Sequence, residues 1–224
     1  MEDDIKNGVE IKDRYDFLRS PDARDIFGKV DFLLKSGAHV QFQHPEQEQE
    51  FIFITRNPTS LNDYYRDFFG LTLEKGGIET DSYYYLDFEN NKRGNIPSDR
   101  RDFLSEESLI IGVFVCKVYN IDFNAEESSI VTFMKLMREE YEEYKDDFYR
   151  LLAQTKSAYT TGEDDAELYK SILSAFKDFK NLGWVYFKNE EQFVIMPSME
   201  RLRKLYAGEI NNTQQLTDNL NLPK

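Results

Sequence analysis

Apolar and polar positions follow the same order twice along the chain. Residues 64–70 have the pattern of a helix stopped by glycine, and 71–88 that of a β-hairpin turning at Gly76-Gly77. Residues 176–183 and 184–196 repeat this order, with a polar turn in place of the two glycines. A helix that ends at glycine and leads into a hairpin is typical of the second half of a winged helix. The pattern therefore predicts a mainly α chain with small β-hairpins, built as tandem winged-helix domains.

The residues that precede the first hairpin module also have apolar positions at the spacing of a helix. Ser20-Pro21-Asp22 has the composition of a helix start, and the element is expected to end at Gly37. Its apolar stripe consists of Ile26, Val30, Leu33 and Leu34. Pro45 is expected to open a second helix. Thr59 or Ser60 is expected to cap a third, which runs to the glycine of the first copy.

The second half begins with a strongly apolar element. Ser105-Glu106-Glu107 is expected to cap a helix at 109–119, and Ser128 or Ser129 to start another. A long helix at 164–182 leads into the second hairpin, and a short helix closes the pattern.

The stretch between the two halves is rich in Asn, Gly, Pro and charge, which is typical of a linker. The predicted organisation is a flexible N-terminal arm at 1–19, winged-helix domains at 20–90 and 105–208, a linker at 91–104, and a disordered tail at 209–224.

Charge changes this picture in one region. The chain carries 28 basic and 42 acidic residues, a formal net charge of −14, which argues against a protein that coats nucleic acid with its whole surface. Between Leu168 and Tyr206, however, seven basic and four acidic residues give +3, which leaves −17 for the remainder. Basic character is therefore concentrated in the second hairpin module, although lysines on a helix also serve solubility.

The helix at 164–182 separates two kinds of side chain. The apolar stripe comprises Leu168, Ile172, Phe176 and Phe179, and polar residues lie opposite it. The helix before the wing is the usual nucleic-acid-facing element of a winged helix. Lysine, serine and asparagine suit phosphate contacts, whereas the arginines that read guanine are missing. The predicted DNA-binding residues are Lys170, Ser174, Lys177, Lys180, Asn181 and Lys188; an ordinary solvated face is the alternative.

Aromatic residues crowd the first hairpin module. The chain has 18 Phe and 14 Tyr, and the group at 64–69 and 83–85 exceeds what one small core needs. Exposed tyrosines favour protein contacts. The predicted partner-binding residues are Tyr64, Tyr65, Phe68, Tyr83 and Tyr85; a tyrosine-rich core with half-exposed rings is the alternative.

No catalytic residue, metal site or cofactor is predicted. The acidic group at 139–147 contains Glu143-Tyr144-Lys145, half of a nuclease-type pattern, but its surroundings look helical and a solvated or partner-facing surface is favoured. His39 and His44 are the two histidines, and they lack a third ligand at metal spacing.

The chain is expected to be soluble and cytoplasmic. The single cysteine, Cys116, indicates a reducing compartment. The acidic start is unlike a signal peptide, and the longest apolar run is well short of the roughly 18 residues that span a bilayer.

Short blocks in a fixed order resemble the MukE/MksE family, the "kite" accessory subunits of bacterial SMC complexes; plasmid-defence (Wadjet) systems use a related subunit. The resemblance spans about residues 20–207, and the family tends toward Arg where this chain has Ala38. The blocks are LLKSGAHV at 33–40, DYYRDFFGL at 63–71, YYYL at 83–86, Ile96-Pro97 leading into Leu104-Ser105-Glu106, and FKNLGWVYF at 179–187.

The resemblance implies a non-catalytic tandem winged-helix protein. Such subunits form homodimers, bind the kleisin (MukF/MksF type), reach the SMC ATPase through it, and contact double-stranded DNA weakly and non-specifically. The expected role is chromosome condensation and segregation, or plasmid defence, at the nucleoid and without membrane contact.

The main alternative is a stand-alone winged-helix regulator or plasmid replication initiator. That class would be expected to carry a basic total charge and Arg or Gln on both recognition helices. The segment with Asn62, Asp63, Arg66 and Asp67 lacks such a surface. A metal-dependent nuclease acting through Glu143 and Lys145 is a distant third.

Overall fold

The computed structural model describes residues 14–87, 95, 104–121, 128–139, 148–149, 152 and 165–208. The chain divides into two compact units, residues 1–102 and 103–224. The predicted disordered tail, most of the predicted linker and residues 140–147 of the acidic group lie outside the described residues.

The first unit contains three α-helices and three strands among its described residues. A 3-10 turn at Asp16–Arg19 and a π-helical turn at Ala23–Phe27 lead into α1. The elements are α1 (Gly28–Lys35), β1 (Val40–Gln41), α2 (Glu48–Arg56), α3 (Pro58–Phe69), β2 (Thr72–Gly76) and β3 (Tyr83–Asp87).

The second unit repeats the order of helix, strand, helix, helix and hairpin across its described elements. These are α4 (Glu106–Cys116), β4 (Ser128–Ser129), α5 (Ile130–Glu139), α6 (Asp165–Leu182), β5 (Val185–Phe187), β6 (Gln192–Ile195) and α7 (Glu200–Leu205). A π-helical turn at Lys117–Ile121 extends α4, and a 3-10 turn at Pro197–Met199 precedes α7.

Each unit holds one small antiparallel sheet of three strands. The orders are β1-β3-β2 and β4-β6-β5, so a two-residue strand flanks each hairpin. The prediction of a mainly helical chain with small β-hairpins is confirmed. Strands β1 and β4 were not predicted, because two residues are too short to show an alternation of apolar and polar positions.

Helix starts follow the sequence in most places. The Ser20 hydroxyl accepts the Ala23 N–H at 3.1 Å, and the Ser105 hydroxyl accepts the Ser108 N–H at 3.0 Å, as predicted for both residues. The Ser129 hydroxyl accepts the Thr132 N–H at 3.0 Å and begins α5. These bonds satisfy backbone donors that a helix start would otherwise leave unpaired.

Two predicted starts are wrong. Helix α2 begins at Glu48 rather than at Pro45. Helix α3 begins at Pro58 itself, so Thr59 and Ser60 lie inside its first turn instead of capping it. Proline fits the first helical position because its missing N–H needs no partner there and its φ is already helical.

The first hairpin turns differently from the prediction. Gly76 ends β2 opposite Tyr83, and a 3-10 turn at Glu79–Asp81 lies between the strands. The Tyr83 ring covers Gly76 so closely that a Cβ there would lie 2.2 Å from Cζ of that ring. Gly77 adopts a φ of +69°, and a Cβ at that position would lie 1.9 Å from the Asp81 carbonyl oxygen. Both glycines are therefore needed for close approach rather than for a tight two-residue turn.

The core of the first unit joins its helices to one face of the sheet. Leu34, Leu61 and Tyr65 are fully buried within it, and Tyr84 packs against it from β3. Phe17, which falls in the predicted arm, is also buried in this core with 4% of its surface exposed.

Helix α4 forms the centre of the second unit. Almost every residue from Glu107 to Cys116 is buried, so this helix is apolar on all sides. A Cβ at Gly112 would lie 2.8 Å from Leu202 and 3.2 Å from Phe179. The glycine therefore lets α6 and α7 approach the central helix closely.

Replacing Gly77 with Ala should destabilise the first unit by roughly 1–3 kcal/mol, because the added Cβ meets the Asp81 carbonyl and φ is positive. Thermal unfolding followed by circular dichroism measures the change. Gly28→Ala is the matched control: it lies in a helix with nothing within 4 Å of the added Cβ, so it should stabilise by about 0.5–1 kcal/mol. Equal effects of the two substitutions would contradict this account of the turn.

Candidate functional site

Helix α6 presents the predicted polar face to solvent. Its apolar stripe is buried against the core of the second unit, with Leu168 3% exposed and Phe176 and Phe179 fully buried. The predicted polar residues are all exposed: Lys170, Ser174, Lys177, Lys180 and Asn181. The spacing along the helix therefore predicted which side chains point outward.

Contacts with neighbouring elements fix the rotation of α6. The Ser108 hydroxyl donates to Asp178 Oδ2 at 2.8 Å and ties the start of α4 to the C-terminal part of α6. Phe176 packs on Phe193 of the hairpin with ring centroids 4.6 Å apart. Gly183 ends the helix with a φ of +74°, which allows the Trp184 N–H to donate to the Phe179 carbonyl at 2.8 Å. The polar face is thus held in one orientation.

The positive charges on this face differ in their partners. Lys170 Nζ lies 2.5 Å from Glu167 Oε1 and is neutralised locally. Within the described part of the chain, Lys177 and Lys180 form no ion pair. They are the two cations of the face that are available to an external anion.

The hairpin that follows α6 adds little positive charge. Lys188 is exposed, but Glu190 and Glu191 at the tip are exposed as well. The Asn189 side-chain oxygen accepts the N–H groups of Glu191 and Gln192 and so holds the two carboxylates at the turn. Any attraction for phosphate at this turn is therefore weaker than on the helix.

The predicted partner-binding tyrosines divide by burial. Tyr65 is fully buried, and burial raises its pKa above the ordinary value for tyrosine. Tyr83 is 4% exposed because its ring covers Gly76. Both side chains are thus buried in the fold of the first unit. Phe68 is 55% exposed, and Tyr64 and Tyr85 are partly buried, so these three present part of their surface to solvent. Partner binding by the five residues stays a prediction.

The alternation predicted for β3 is present. Tyr84 packs against Phe51 in the core with centroids 5.4 Å apart. Tyr83 and Tyr85 lie on the other face of the sheet, where both rings contact buried His39 at 5.7 and 5.4 Å. His39 is thereby part of an aromatic cluster in the fold.

Sequence reasoning missed two features of the first unit. Phe32 in α1 is 74% exposed, and Ile78, which lies between β2 and the 3-10 turn at Glu79–Asp81, is 76% exposed. Residues Arg14 and Tyr15 contact α3, which composition alone did not indicate. The apolar residues near Tyr15 were a signal that this stretch packs onto a core.

The residues considered for chemistry have structural surroundings. Burial raises the pKa of the Cys116 thiol to about 12, so it is protonated at neutral pH and is a poor nucleophile. His44 is partly buried, which lowers its pKa, and its Nδ1 accepts the Glu46 N–H at 3.2 Å. Across the described residues, no three His, Cys, Asp or Glu side chains are grouped to hold a metal ion. Glu143 and Lys145 lie outside those residues.

No helix in the described segments is long and apolar enough to cross a bilayer.

The two helical units share an order of elements but differ in their exposed residues, which are lysines on α6 of the second unit and large apolar side chains in the first. A family model described as condensin complex protein MksE matches residues 25–207. The chain therefore belongs to the MksE family of condensin complex proteins, and the resemblance of its sequence blocks is confirmed. No curated protein matches the chain.

The two faces of α6 should respond differently to substitution. Phe176→Ala should destabilise the second unit by about 3–5 kcal/mol, because it removes a fully buried ring from contact with four other phenylalanines. Lys177→Ala should change stability by less than about 0.5 kcal/mol. Thermal unfolding of both variants measures the difference. A comparable loss for Lys177→Ala would mean that the lysine has a structural role.

Proposed function

We propose that this chain is a non-catalytic, kite-type subunit of a bacterial condensin-like complex and is built from two winged helices. The order of helix, strand, helix, helix and hairpin in each unit supports the winged-helix assignment. Membership of the MksE family supports the place in a condensin complex. The proposed domains are residues 20–90 and 105–208, joined by a linker at 91–104.

The proposed protein partners are a second copy of the chain and a kleisin of the MukF/MksF type, through which the SMC ATPase is reached. Exposed apolar side chains of the first unit support a protein-binding role, and among them Phe32, Phe68 and Ile78 are each more than half exposed. A net charge of −14 favours a kleisin segment that is locally basic, since complementary charge increases the association rate and fixes the register of docking.

The proposed DNA contact is weak, independent of sequence, and made by the exposed face of α6. Lys177 and Lys180, exposed on a rigidly oriented helix, are the observation that carries this proposal. Lys170, Ser174 and Asn181 extend the same face, and Lys188 lies in the hairpin that follows. Because lysine and serine contact phosphates rather than base edges, such binding would not distinguish sequences.

The corresponding helix of the first unit supports a division of roles. Helix α3 carries Asp63 and Asp67 on its outer side, and carboxylates repel the phosphates of a duplex. This asymmetry disfavours a stand-alone DNA-binding regulator, which would use both helices. The neighbouring genes distinguish chromosome maintenance from plasmid defence, since a topoisomerase-related nuclease beside the SMC and kleisin genes would indicate defence.

The assembly proposal can be tested by multi-angle light scattering. The chain alone at micromolar concentration should have the mass of a homodimer, and co-expression with the neighbouring kleisin should yield one stable complex in moderate salt. A monomer under both conditions would overturn the dimer. A homodimer that does not retain the kleisin would support the proposed dimer and contradict the proposed binding of the kleisin.

The DNA proposal can be tested in the assembled complex with unrelated duplexes. Lys177→Glu should weaken binding to every duplex by a similar factor, and Lys177→Ala should lower the salt slope by roughly 1, because one phosphate contact is lost. Lys75→Glu, an equal charge change in the first unit, is the control and should leave affinity nearly unchanged. If a complex with Lys170, Lys177 and Lys180 all changed to Glu keeps its affinity and salt slope, the face is merely solvated.

A further inference from the structure

The outer side of α3 combines negative charge with an exposed aromatic ring. Asp63 and Asp67 are one turn apart on the helix, and Phe68 beside them is 55% exposed. Arg66, on the same helix, pairs with both Asp63 and Asp67, so the two carboxylates and this one arginine keep a net negative charge. We call Asp63, Asp67 and Phe68 the α3 face.

A short segment from the start of the chain lies on the α3 face. The Tyr15 hydroxyl donates to Asp67 Oδ2 at 2.6 Å, and the Arg14 guanidinium donates to the same oxygen at 3.0 Å. Arg14 Nε also lies 3.6 Å from Asp63 Oδ2. The Tyr15 ring packs on Phe68 with centroids 5.4 Å apart. An arginine and a neighbouring aromatic ring thus satisfy both chemical features of the face.

The two ends of this segment are held in different ways. Phe17 is buried with 4% exposure, and its ring contacts Phe27 at 5.1 Å and Phe53 at 6.2 Å, so it anchors the segment in the core. The Arg14 side chain is 44% exposed, and its ion pairs are made in water. Exposed ion pairs contribute little to stability, and Tyr15 is only partly buried at the edge of the core. Arg14 and Tyr15 are therefore held less firmly than Phe17 and can leave the face while Phe17 stays in place.

We propose that Arg14 and Tyr15 form a releasable strap over the α3 face, and that the face binds a segment of a protein partner that presents an arginine beside an aromatic ring. The strap occupies the site in cis until such a segment displaces it. Charge complementarity selects this occupant, because two carboxylates attract a guanidinium and repel phosphate groups. The inference refines the protein-binding part of the proposed function, and its test requires no condensin subunit.

A strap in cis lowers the apparent affinity of a competing partner in proportion to the fraction of time for which the face is open. If the face is open for about a tenth of the time, the apparent affinity falls about tenfold, and removing the strap restores it. Substitutions at Arg14 and Tyr15 therefore separate release of the strap from loss of the site.

The probe is a fluorescent peptide of residues 10–15, EIKDRY, which carries the arginine and tyrosine but not the Phe17 anchor. The full chain with Arg14→Ala and Tyr15→Ala should bind it about tenfold more tightly than the natural chain does. Adding Asp63→Asn and Asp67→Asn to that variant should abolish binding. The peptide EIKDAA should bind none of these proteins.

A matched control lies on the same segment. Arg19 and Asp16 are exposed and pair with each other at 3.4 Å, so Arg19→Ala with Asp16→Asn should leave peptide binding as in the natural chain. Circular dichroism verifies that each variant is folded. Trypsin cleavage after Arg14 gives a second readout, and it should be faster in the chain with Asp63→Asn and Asp67→Asn than in the natural chain, because the strap loses its acceptors. Equal peptide binding with and without the strap, no binding to the opened variant, or binding that survives the two Asp→Asn changes would each overturn the proposal.

Discussion

In each unit, the position of the hairpin depends on one helix, because the apolar stripe of that helix is buried in the core and the hairpin follows directly from its end. In α6 the stripe includes Phe176 and Phe179, and in α3 it includes Leu61 and Tyr65, all fully buried. Gly70 and Gly183 end the two helices with φ values of +66° and +74°, so the following strand can turn back to the same core. Once the stripe is buried and the end is fixed, the outward residues of the helix are determined.

The same scaffold carries opposite charges in its two copies. Lys177 and Lys180 occupy the outer face of α6, whereas Asp63 and Asp67 occupy that of α3. Substitutions on an exposed helix face cost little stability, so the two copies can differ there while their cores remain alike. Because of this freedom, one repeated fold can support the two proposed roles, which are DNA contact through α6 and protein binding through the first unit.

The sequence predicted those features that depend on periodicity over several turns. The stripe of α6, the apolar α4 and the serine caps at Ser20 and Ser105 follow from local spacing and local hydrogen bonds. Strands β1 and β4 depend on pairing with distant residues of β3 and β6, and two residues carry no period of their own. Local pattern therefore described the helices better than the sheets.

Local sequence pattern was also insufficient to tell which candidate contact residues are exposed. Tyr64 and Tyr65 are adjacent and alike in composition, yet Tyr65 points into the core and Tyr64 lies at its edge, because one position along a helix rotates a side chain by about 100°. Tyr83 is buried by its position opposite Gly76, which depends on strand register. The contact between Tyr15 and Asp67 joins residues 52 positions apart, so no local pattern indicates it.

Net charge determines how the two proposed surfaces could work together. The stretch with α6 carries +3 in a chain of −14, and at physiological salt the field of a charge is screened over about 8 Å. Local charge on α6, rather than the net charge of the chain, would therefore decide whether the proposed DNA contact forms. The proposed protein surface of the first unit would contribute through the partner that it binds, because a partner in the same complex can present a duplex to α6 without any change of fold.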